Sequence, residues 1–223
     1  IRNTMKFLLA NLADFDASKD LLPVDQWLEI DRYALHLTEK LQAEVLADYD
    51  RYEFHLAVQK IVSFCSEDLG GFYLDILKDR LYTAGENSHA RRAAQSALHH
   101  ITHAFMRLIA PILSFTADEI WQLLEVNNQK SVFEDAWYEL PKHALTAKEI
   151  LAWQDVINVR GLVNKAIEEK RAQSLVGSSL QSEIDIYADG QLFESLESLK
   201  DDLRFVMITS RANVYRKVDS GVQ

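Results

Sequence analysis

Apolar residues recur at alternating steps of three and four along most of the chain, which is the spacing of one buried face of an α-helix. The longest run of this kind extends from Ile30 to Tyr52 and predicts a helix over roughly 24–49. The same pattern predicts further helices over 1–12, 54–69, 88–110, 116–124 and 146–173. We therefore expect a mainly α protein.

Polar and glycine residues mark where the predicted helices begin and end. Ser88 and two capping boxes, Thr116–Glu119 and Thr146–Glu149, are expected to begin helices, because their side chains can satisfy free backbone amides. Gly70-Gly71 is expected to break the helix that begins at residue 54. Pro111 is expected to end the helix after Ser88, since proline lacks the amide hydrogen that a helix interior needs.

The apolar pattern changes period beyond residue 177. Alternation over 184–188 predicts a strand, and Phe205–Ile208 predicts a second strand after a short helix over 192–199. The chain is therefore expected to have three parts: a helical bundle over 1–145, a long connecting helix over 146–177 and a small α/β junction unit over 178–223.

Composition excludes several classes of protein. The chain has 223 residues, 48% of them hydrophobic, with one cysteine and a formal net charge of −10. A disordered chain is excluded by the apolar content, and a disulfide-stapled scaffold by the single cysteine. No uninterrupted apolar run approaches the ~18 residues that a membrane span needs. The acidic balance argues against binding nucleic acid by net charge alone.

Candidate catalytic and metal-binding groups are few. The sequence has no glycine-rich phosphate loop and no nucleophile elbow, and Cys65 lies among apolar residues, which favours a buried structural thiol. His99 and His103 are one helical turn apart, but no third and fourth ligand have matching spacing. We therefore interpret these histidines as part of a partly exposed helix face, and we expect neither a catalytic residue nor a metal site.

Charge is distributed unevenly along the chain. Residues 1–75 carry seven basic and fourteen acidic side chains, whereas 78–107 carry five basic and two acidic, and 160–172 four basic and two acidic. Tyr82 and Phe7 lie near basic residues and could stack on unpaired bases. The competing interpretation is ordinary solubilising surface charge.

Several segments, in the same order, resemble the anticodon-binding domain of bacterial isoleucyl-tRNA synthetases. The most specific are Ile1-Arg2-Asn3-Thr4, Tyr73-Leu74-Asp75 and Lys78-Asp79-Arg80-Leu81-Tyr82. Ala110–Trp121 also matches, but related class I synthetases share this pattern. The resemblance covers nearly the whole chain, and the valyl and leucyl relatives are the alternatives within the family.

The resemblance implies a C-terminal fragment of a class I ligase that joins isoleucine to its tRNA, converting ATP to AMP and diphosphate. The nucleotide-handling His-Ile-Gly-His and Lys-Met-Ser-Lys-Ser signatures, the editing insertion and the Cys-rich zinc module are absent from this sequence. The fragment is therefore expected to be inactive alone and to need no cofactor, with ATP, magnesium and zinc belonging to the parent enzyme. Its expected partners are the anticodon stem-loop of isoleucine tRNA and the missing catalytic, editing and zinc modules. It is expected to be a cytoplasmic monomer without a membrane contact.

The resemblance and the local charge together yield a hypothesis for the RNA-facing surface. Residues of the long helix are expected to be outer phosphate contacts, and the 178–217 unit a junction that places the zinc module. Each of these side chains could instead form an intramolecular salt bridge, as Arg80 could with Asp75 or Asp79. The whole chain could instead be a helical protein-interaction scaffold that has no role in translation. The candidate tRNA-binding residues are Arg2, Asn3, Lys6, Lys78, Arg80, Tyr82, Arg91, Arg92, Arg160, Lys165 and Arg171.

Overall fold

The computed structural model describes residues 1–124 and 130–217, and the mainly α class is confirmed. The chain divides into two compact units, Ile1–Leu145 and Thr146–Gln223. The helices of the first unit are α1 (Arg2–Asn11), α2 (Ala17–Asp20), α3 (Glu29–Asp50), α4 (Phe54–Ser63), a π-helical segment (Phe64–Tyr73), α5 (Leu74–Thr83), α6 (His89–Ile109) and α7 (Ser114–Leu124), with single 3₁₀ turns at Val24–Gln26 and Val132–Glu134.

The core of the first unit is built around α6. Every residue from Ile101 to Ile109 is buried, and α6 packs against α1, α3, α5 and α7. A helix that is covered on all sides lies at the centre of a bundle. Small residues such as Ala97 and Ala104, both fully buried, let the surrounding helices approach it closely.

The expected break at Gly70-Gly71 is wrong, because the chain stays helical from α4 into α5. A Cβ atom on Gly70 would lie 2.8 Å from the carbonyl oxygen of Cys65, and one on Gly71 would lie 3.1 Å from that of Ser66. Each of these carbonyls is five residues earlier, as the hydrogen bonding of a π-helix requires. The two glycines therefore permit the π-helical segment where a side chain would collide with the backbone.

Two of the expected helix starts are confirmed by side-chain caps. The Ser88 hydroxyl accepts from the Arg91 amide at 3.3 Å at the start of α6. Thr146 accepts from the Glu149 amide at 3.3 Å, while the Glu149 carboxylate accepts from the Thr146 amide at 2.7 Å. This reciprocal pair is a capping box, and it begins the long helix of the second unit.

Two other helix starts differ from the expectation. The capping box at Thr116–Glu119 is wrong, because α7 already begins at Ser114, so Thr116 lies inside the helix. The Asp118 carboxylate of this helix accepts from the Ser131 hydroxyl at 2.6 Å and the Val132 amide at 3.0 Å. Helix α3 begins at Glu29 rather than near residue 24, since the backbone is extended at the two preceding residues.

The second unit has the elements α8 (Ala147–Ala172), β1 (Glu183–Ala188), α9 (Gly190–Glu197), α10 (Leu203–Met207) and β2 (Arg211–Arg216), with 3₁₀ turns at Ser179–Gln181 and Lys200–Asp202. Strands β1 and β2 are parallel, with Glu183 opposite Arg211 and Ala188 opposite Arg216. The expected first strand is thus confirmed and the expected long helix is α8.

The expected second strand at Phe205–Ile208 is wrong. Phe205, Val206 and Met207 belong to α10, whose buried positions Leu203, Val206 and Met207 follow helical spacing. Ile208 ends the helix in the left-handed region at φ 54°. A short apolar run suits a strand or a buried helix equally well, and packing decided between them.

Across the described ranges, 1–124 and 130–217, no helix combines the length and the apolar character needed to cross a membrane.

Candidate nucleic-acid interface

Arg80 joins two helices of the bundle through a buried carboxylate. Its Nη2 atom donates to both carboxylate oxygens of Asp31, at 2.7 and 2.8 Å, and the Tyr73 hydroxyl donates to the same carboxylate at 2.8 Å. Burial raises the pKa of the Asp31 carboxyl, and the Arg80 charge opposes this shift. The ion-pair partner of Arg80 is therefore Asp31 on α3, rather than Asp75 or Asp79. This internal ion pair neutralises the charge of Arg80.

Arg91 and Arg92 tie the beginning of α6 to the loop after α1. Arg91 Nη2 donates to both carboxylate oxygens of Asp14 at 3.0 Å, and its Nη1 donates to the Leu81 carbonyl. Arg92 Nη1 donates to the Asp14 carbonyl at 3.2 Å and to Gln95 Oε1 at 2.7 Å. Burial raises the pKa of Asp14, but the hydrogen bond and charge of Arg91 outweigh it and hold this pKa below its usual value. We call this group of contacts the Asp14 clamp.

Arg107 is also paired within the bundle. It lies between the rings of Trp121 and Tyr138, at 4.8 and 5.1 Å from their centroids, and donates to the Asp135 carboxylate. The arginines of 78–107 thus meet aspartates from other parts of the chain. The local positive charge of this segment does not form a basic strip, because its partners lie far away in sequence and cannot be recognised from local composition.

The basic residues of α1 are differently placed. Arg2, Asn3 and Lys6 are exposed on one side of α1, while Met5 and Leu8 are buried on the other. Within residues 1–124 and 130–217, the side chains of Arg2 and Lys6 make no hydrogen bond or ion pair. Both charges are available to a partner.

Lys78 and Tyr82 are one turn apart on α5 and both are exposed. Tyr82 is 67% exposed, and Lys78 forms a surface pair with Asp75 at 3.0 Å. Surface pairs of this kind contribute little to stability, so the pair with Asp75 does not hold Lys78 strongly. This part of α5 therefore offers a cation beside an aromatic ring.

In the second unit, the three basic candidates of α8 have different surroundings. Arg160 is buried, and its Nε atom donates to the Val206 carbonyl at 2.9 Å. Lys165 is exposed, and Arg171 pairs with Glu168 at 2.5 Å on the surface. The expectation of an outer phosphate contact is wrong for Arg160. Its spacing of four residues from buried Val156 placed it on the apolar face, which a helical projection could have shown.

The sequence analysis missed an aromatic pair on the small sheet. Tyr187 and Tyr215 are opposite each other in the register of β1 and β2, with ring centroids 5.4 Å apart and planes at 27°. They are 64% and 45% exposed, and Arg211 is exposed on the same face of β2. The alternation of polar and apolar residues over 211–216 is the signal in the sequence that indicates this strand.

The remaining titratable candidates are Cys65 and the histidines of α6, and burial shifts the pKa of each of those described here. Cys65 is buried as expected, and burial raises the pKa of its thiol, which disfavours a nucleophilic thiolate. The histidine face of α6 is partly exposed at His99 and His100, as expected, whereas His103 is buried. Burial is the main cause that lowers the pKa of His100 to about 4 and that of His103 to about 3, so both rings are neutral near pH 7.

Comparison with known proteins agrees with this arrangement. The family model described as the anticodon-binding domain of tRNA ligase matches residues 31–186. Isoleucine–tRNA ligases of Burkholderia cenocepacia (strain HI2424) and Burkholderia orbicola (strain AU 1054) are each 52% identical over 223 residues, which is 100% of this chain and 23% of theirs. That of Dechloromonas aromatica (strain RCB) is 55% identical over 210 residues, 94% of this chain and 22% of its own.

The chain thus spans less than a quarter of the length of these relatives. The family model nevertheless covers more than half of the chain, from α3 of the first unit to β1 of the second. The identification made from the sequence is confirmed, and the chain belongs to the family of anticodon-binding domains of tRNA ligases.

Proposed function

We propose that this chain recognises the anticodon stem-loop of isoleucine tRNA as a module of an isoleucine–tRNA ligase. The observation that carries the proposal is the 52% identity to such ligases over all 223 residues. On this proposal the parent enzyme joins isoleucine to tRNA with ATP, and the ATP, magnesium and zinc chemistry belongs to segments outside this chain. The module acts in the cytoplasm as a monomer and supplies binding rather than a catalytic group.

Two kinds of side chain support RNA contact. Exposed cations can hold phosphates, and exposed aromatic rings can stack on the splayed bases of a single-stranded loop. In the first unit the proposed surface consists of Arg2, Asn3, Lys6, Lys78 and Tyr82. In the second unit it consists of Lys165, Arg171, Tyr187 and Tyr215.

The other arginine candidates affect RNA binding indirectly, because they hold the helices of the two units in place. Arg80 holds α5 against α3, and Arg91 and Arg92 hold the start of α6 against the loop after α1. Arg160 holds α8 against α10. Substitution of these residues is expected to change stability together with binding, which distinguishes them from the exposed set.

The test uses the full-length ligase that carries this chain. The double variant Arg2→Glu with Lys6→Glu, and each single variant, are compared with the single charge reversal Lys142→Glu at an exposed lysine of the same unit. We expect the first variant to raise the KM for tRNA in aminoacylation. The slope of the logarithm of the binding constant against the logarithm of salt concentration should become less steep by about one for each phosphate that the variant no longer neutralises. Isoleucine activation without tRNA stays unchanged.

Three outcomes would overturn parts of the proposal. An unchanged KM and salt slope would remove α1 from the RNA-facing surface. Equal affinity of the protein for an isoleucine stem-loop and for one with an altered anticodon would favour a scaffold that does not read the anticodon. A preference for a valine or leucine stem-loop would assign the module to a relative within the family.

A further inference from the structure

Two histidines and a glutamate meet on the surface of the first unit. His36 and Glu39 are three residues apart on α3 and share a face, while His143 comes from the segment just before the end of the unit. One nitrogen of each imidazole and one carboxylate oxygen all lie within 4.8 Å of one another. His143 is more than a hundred positions away from the other two in sequence, so only the fold brings the three residues together.

The geometry of this triad is close to that of a metal site. His143 Nε2 lies 3.4 Å from Glu39 Oε2. Ligands bonded to zinc at 2.0–2.1 Å in a tetrahedron are about 3.3 Å apart, so this pair already spans one tetrahedral edge. The His36 ring meets the His143 ring edge-on, with centroids 4.9 Å apart.

His36 carries an unsatisfied ring nitrogen. Its Nδ1 atom is buried and has no hydrogen-bond partner within the described residues. A ring nitrogen without a hydrogen-bond partner can offer its lone pair to a metal ion, which neutral imidazole coordinates.

His143 is oriented by the backbone. Its Nδ1 atom accepts from the Leu145 amide at 2.9 Å, which leaves Nε2 facing Glu39. In a neutral ring the proton then sits on Nε2. Coordination at Nε2 moves this proton to Nδ1 and releases the Leu145 amide, so cation binding is linked to a change at the last residue of the unit.

We propose that His36, Glu39 and His143 form a three-ligand site for Zn²⁺ or a similar divalent transition-metal ion, with water as the fourth ligand. Two imidazoles and one carboxylate suit zinc, whereas Mg²⁺ and Ca²⁺ prefer oxygen ligands alone. The site is independent of the proposed RNA surface and of the zinc module of the parent enzyme. It replaces the expectation from the sequence that this chain has no metal site.

The test is a titration of the chelator-treated 223-residue chain with Zn²⁺ by calorimetry and with Co²⁺ by visible absorption. We expect one equivalent of Zn²⁺ to bind and Mg²⁺ not to bind. The visible spectrum of bound Co²⁺ should be that of a four-coordinate ion. His36→Gln, Glu39→Gln and His143→Gln should each weaken Zn²⁺ binding by more than about tenfold, since changes in the outer shell alone cost about 10–100-fold. The NMR resonance of the Leu145 amide should shift when Zn²⁺ is added.

The matched control is His55→Gln, an exposed histidine outside the triad. It should bind Zn²⁺ like the wild type, and circular dichroism checks that every variant is folded. Zn²⁺ binding that is unchanged in folded His36→Gln and His143→Gln, or the absence of Zn²⁺ binding by the wild type, would overturn the proposal.

Discussion

The Asp31 carboxylate shows how much a single residue contributes to this bundle. It is completely buried, and Arg80 and Tyr73 satisfy it from neighbouring helical segments. Removing one partner of a buried ion pair leaves an uncompensated charge in a low-dielectric site, which costs more than the pair itself contributes. Arg80 therefore matters for stability, although the sequence suggested a surface role.

Replacement of Arg80 by alanine is expected to lower the free energy of unfolding by about 3 kcal/mol, because Asp31 stays buried without its counter-charge. Urea denaturation measures this change. The matched control is Lys78→Ala, which breaks only the surface pair with Asp75 and should change stability by less than about 1 kcal/mol. Equal effects of the two substitutions would contradict the structural role of Arg80.

Two histidines of α6 whose pKa is lowered by burial predict an acid-sensitive stability. Histidine in the unfolded chain titrates near pH 6.5, whereas burial lowers the pKa of His100 to about 4 and of His103 to about 3. Between these values the unfolded chain binds more protons, so the free energy of unfolding falls as the pH drops from about 6.5 towards 4. Denaturation of His103→Gln at pH 7.5 and pH 5 should show a smaller difference than the wild type. His55→Gln, an exposed control, should keep the full difference.

At the scale of elements, the π-helical segment determines how α4 continues into α5. Gly70→Ala places a methyl group 2.8 Å from the Cys65 carbonyl oxygen and should destabilise the protein by about 1–3 kcal/mol. Gly161→Ala on α8 meets no atom of the described residues within 4 Å and should stabilise the protein by about 0.5–1 kcal/mol, because alanine has less backbone freedom to lose. Thermal unfolding of both variants tests the prediction, and a stabilising Gly70→Ala would contradict the close approach.

The Asp14 clamp joins elements through charged hydrogen bonds. Asp14→Asn weakens the Arg91 contacts, and we expect a decrease in the free energy of unfolding of about 1.5–3 kcal/mol, the range for hydrogen bonds to charged groups. Since the pKa of Asp14 is lowered in the folded state, its contribution is present above the unfolded value and is lost as the pH falls through the folded value. The difference between wild type and Asp14→Asn should therefore shrink below about pH 3.8. A difference that is constant down to pH 2 would contradict the ionic nature of the clamp.

At the scale of the whole molecule, a net charge of −10 coexists with a proposed RNA surface. Several arginines are neutralised by aspartates inside the units. Net charge therefore limits non-specific binding, while specific recognition depends on a few exposed cations and rings.

The tyrosine pair of the small sheet predicts a contribution from stacking. Combined Tyr187→Ala and Tyr215→Ala is expected to weaken binding of the isoleucine stem-loop by about tenfold, since stacking contributes about 1–3 kcal/mol per base. Fluorescence anisotropy with labelled stem-loop measures the change. Tyr52→Ala, an exposed tyrosine of the first unit, is the control that should bind normally. Equal affinity of the double variant and the control would remove the sheet from the RNA surface.

The sequence by itself determined the mainly α class, the helix starts at Ser88 and Thr146, the strand β1 and the family. Periodicity and capping are local, so they are encoded within one or two turns of chain. Only the tertiary structure decided the partner of β1, the pairing of Arg80 with Asp31, the Asp14 clamp and the meeting of His36 with His143. These contacts join residues 28 to 107 positions apart, and packing of whole elements, rather than any local pattern, brings such residues together.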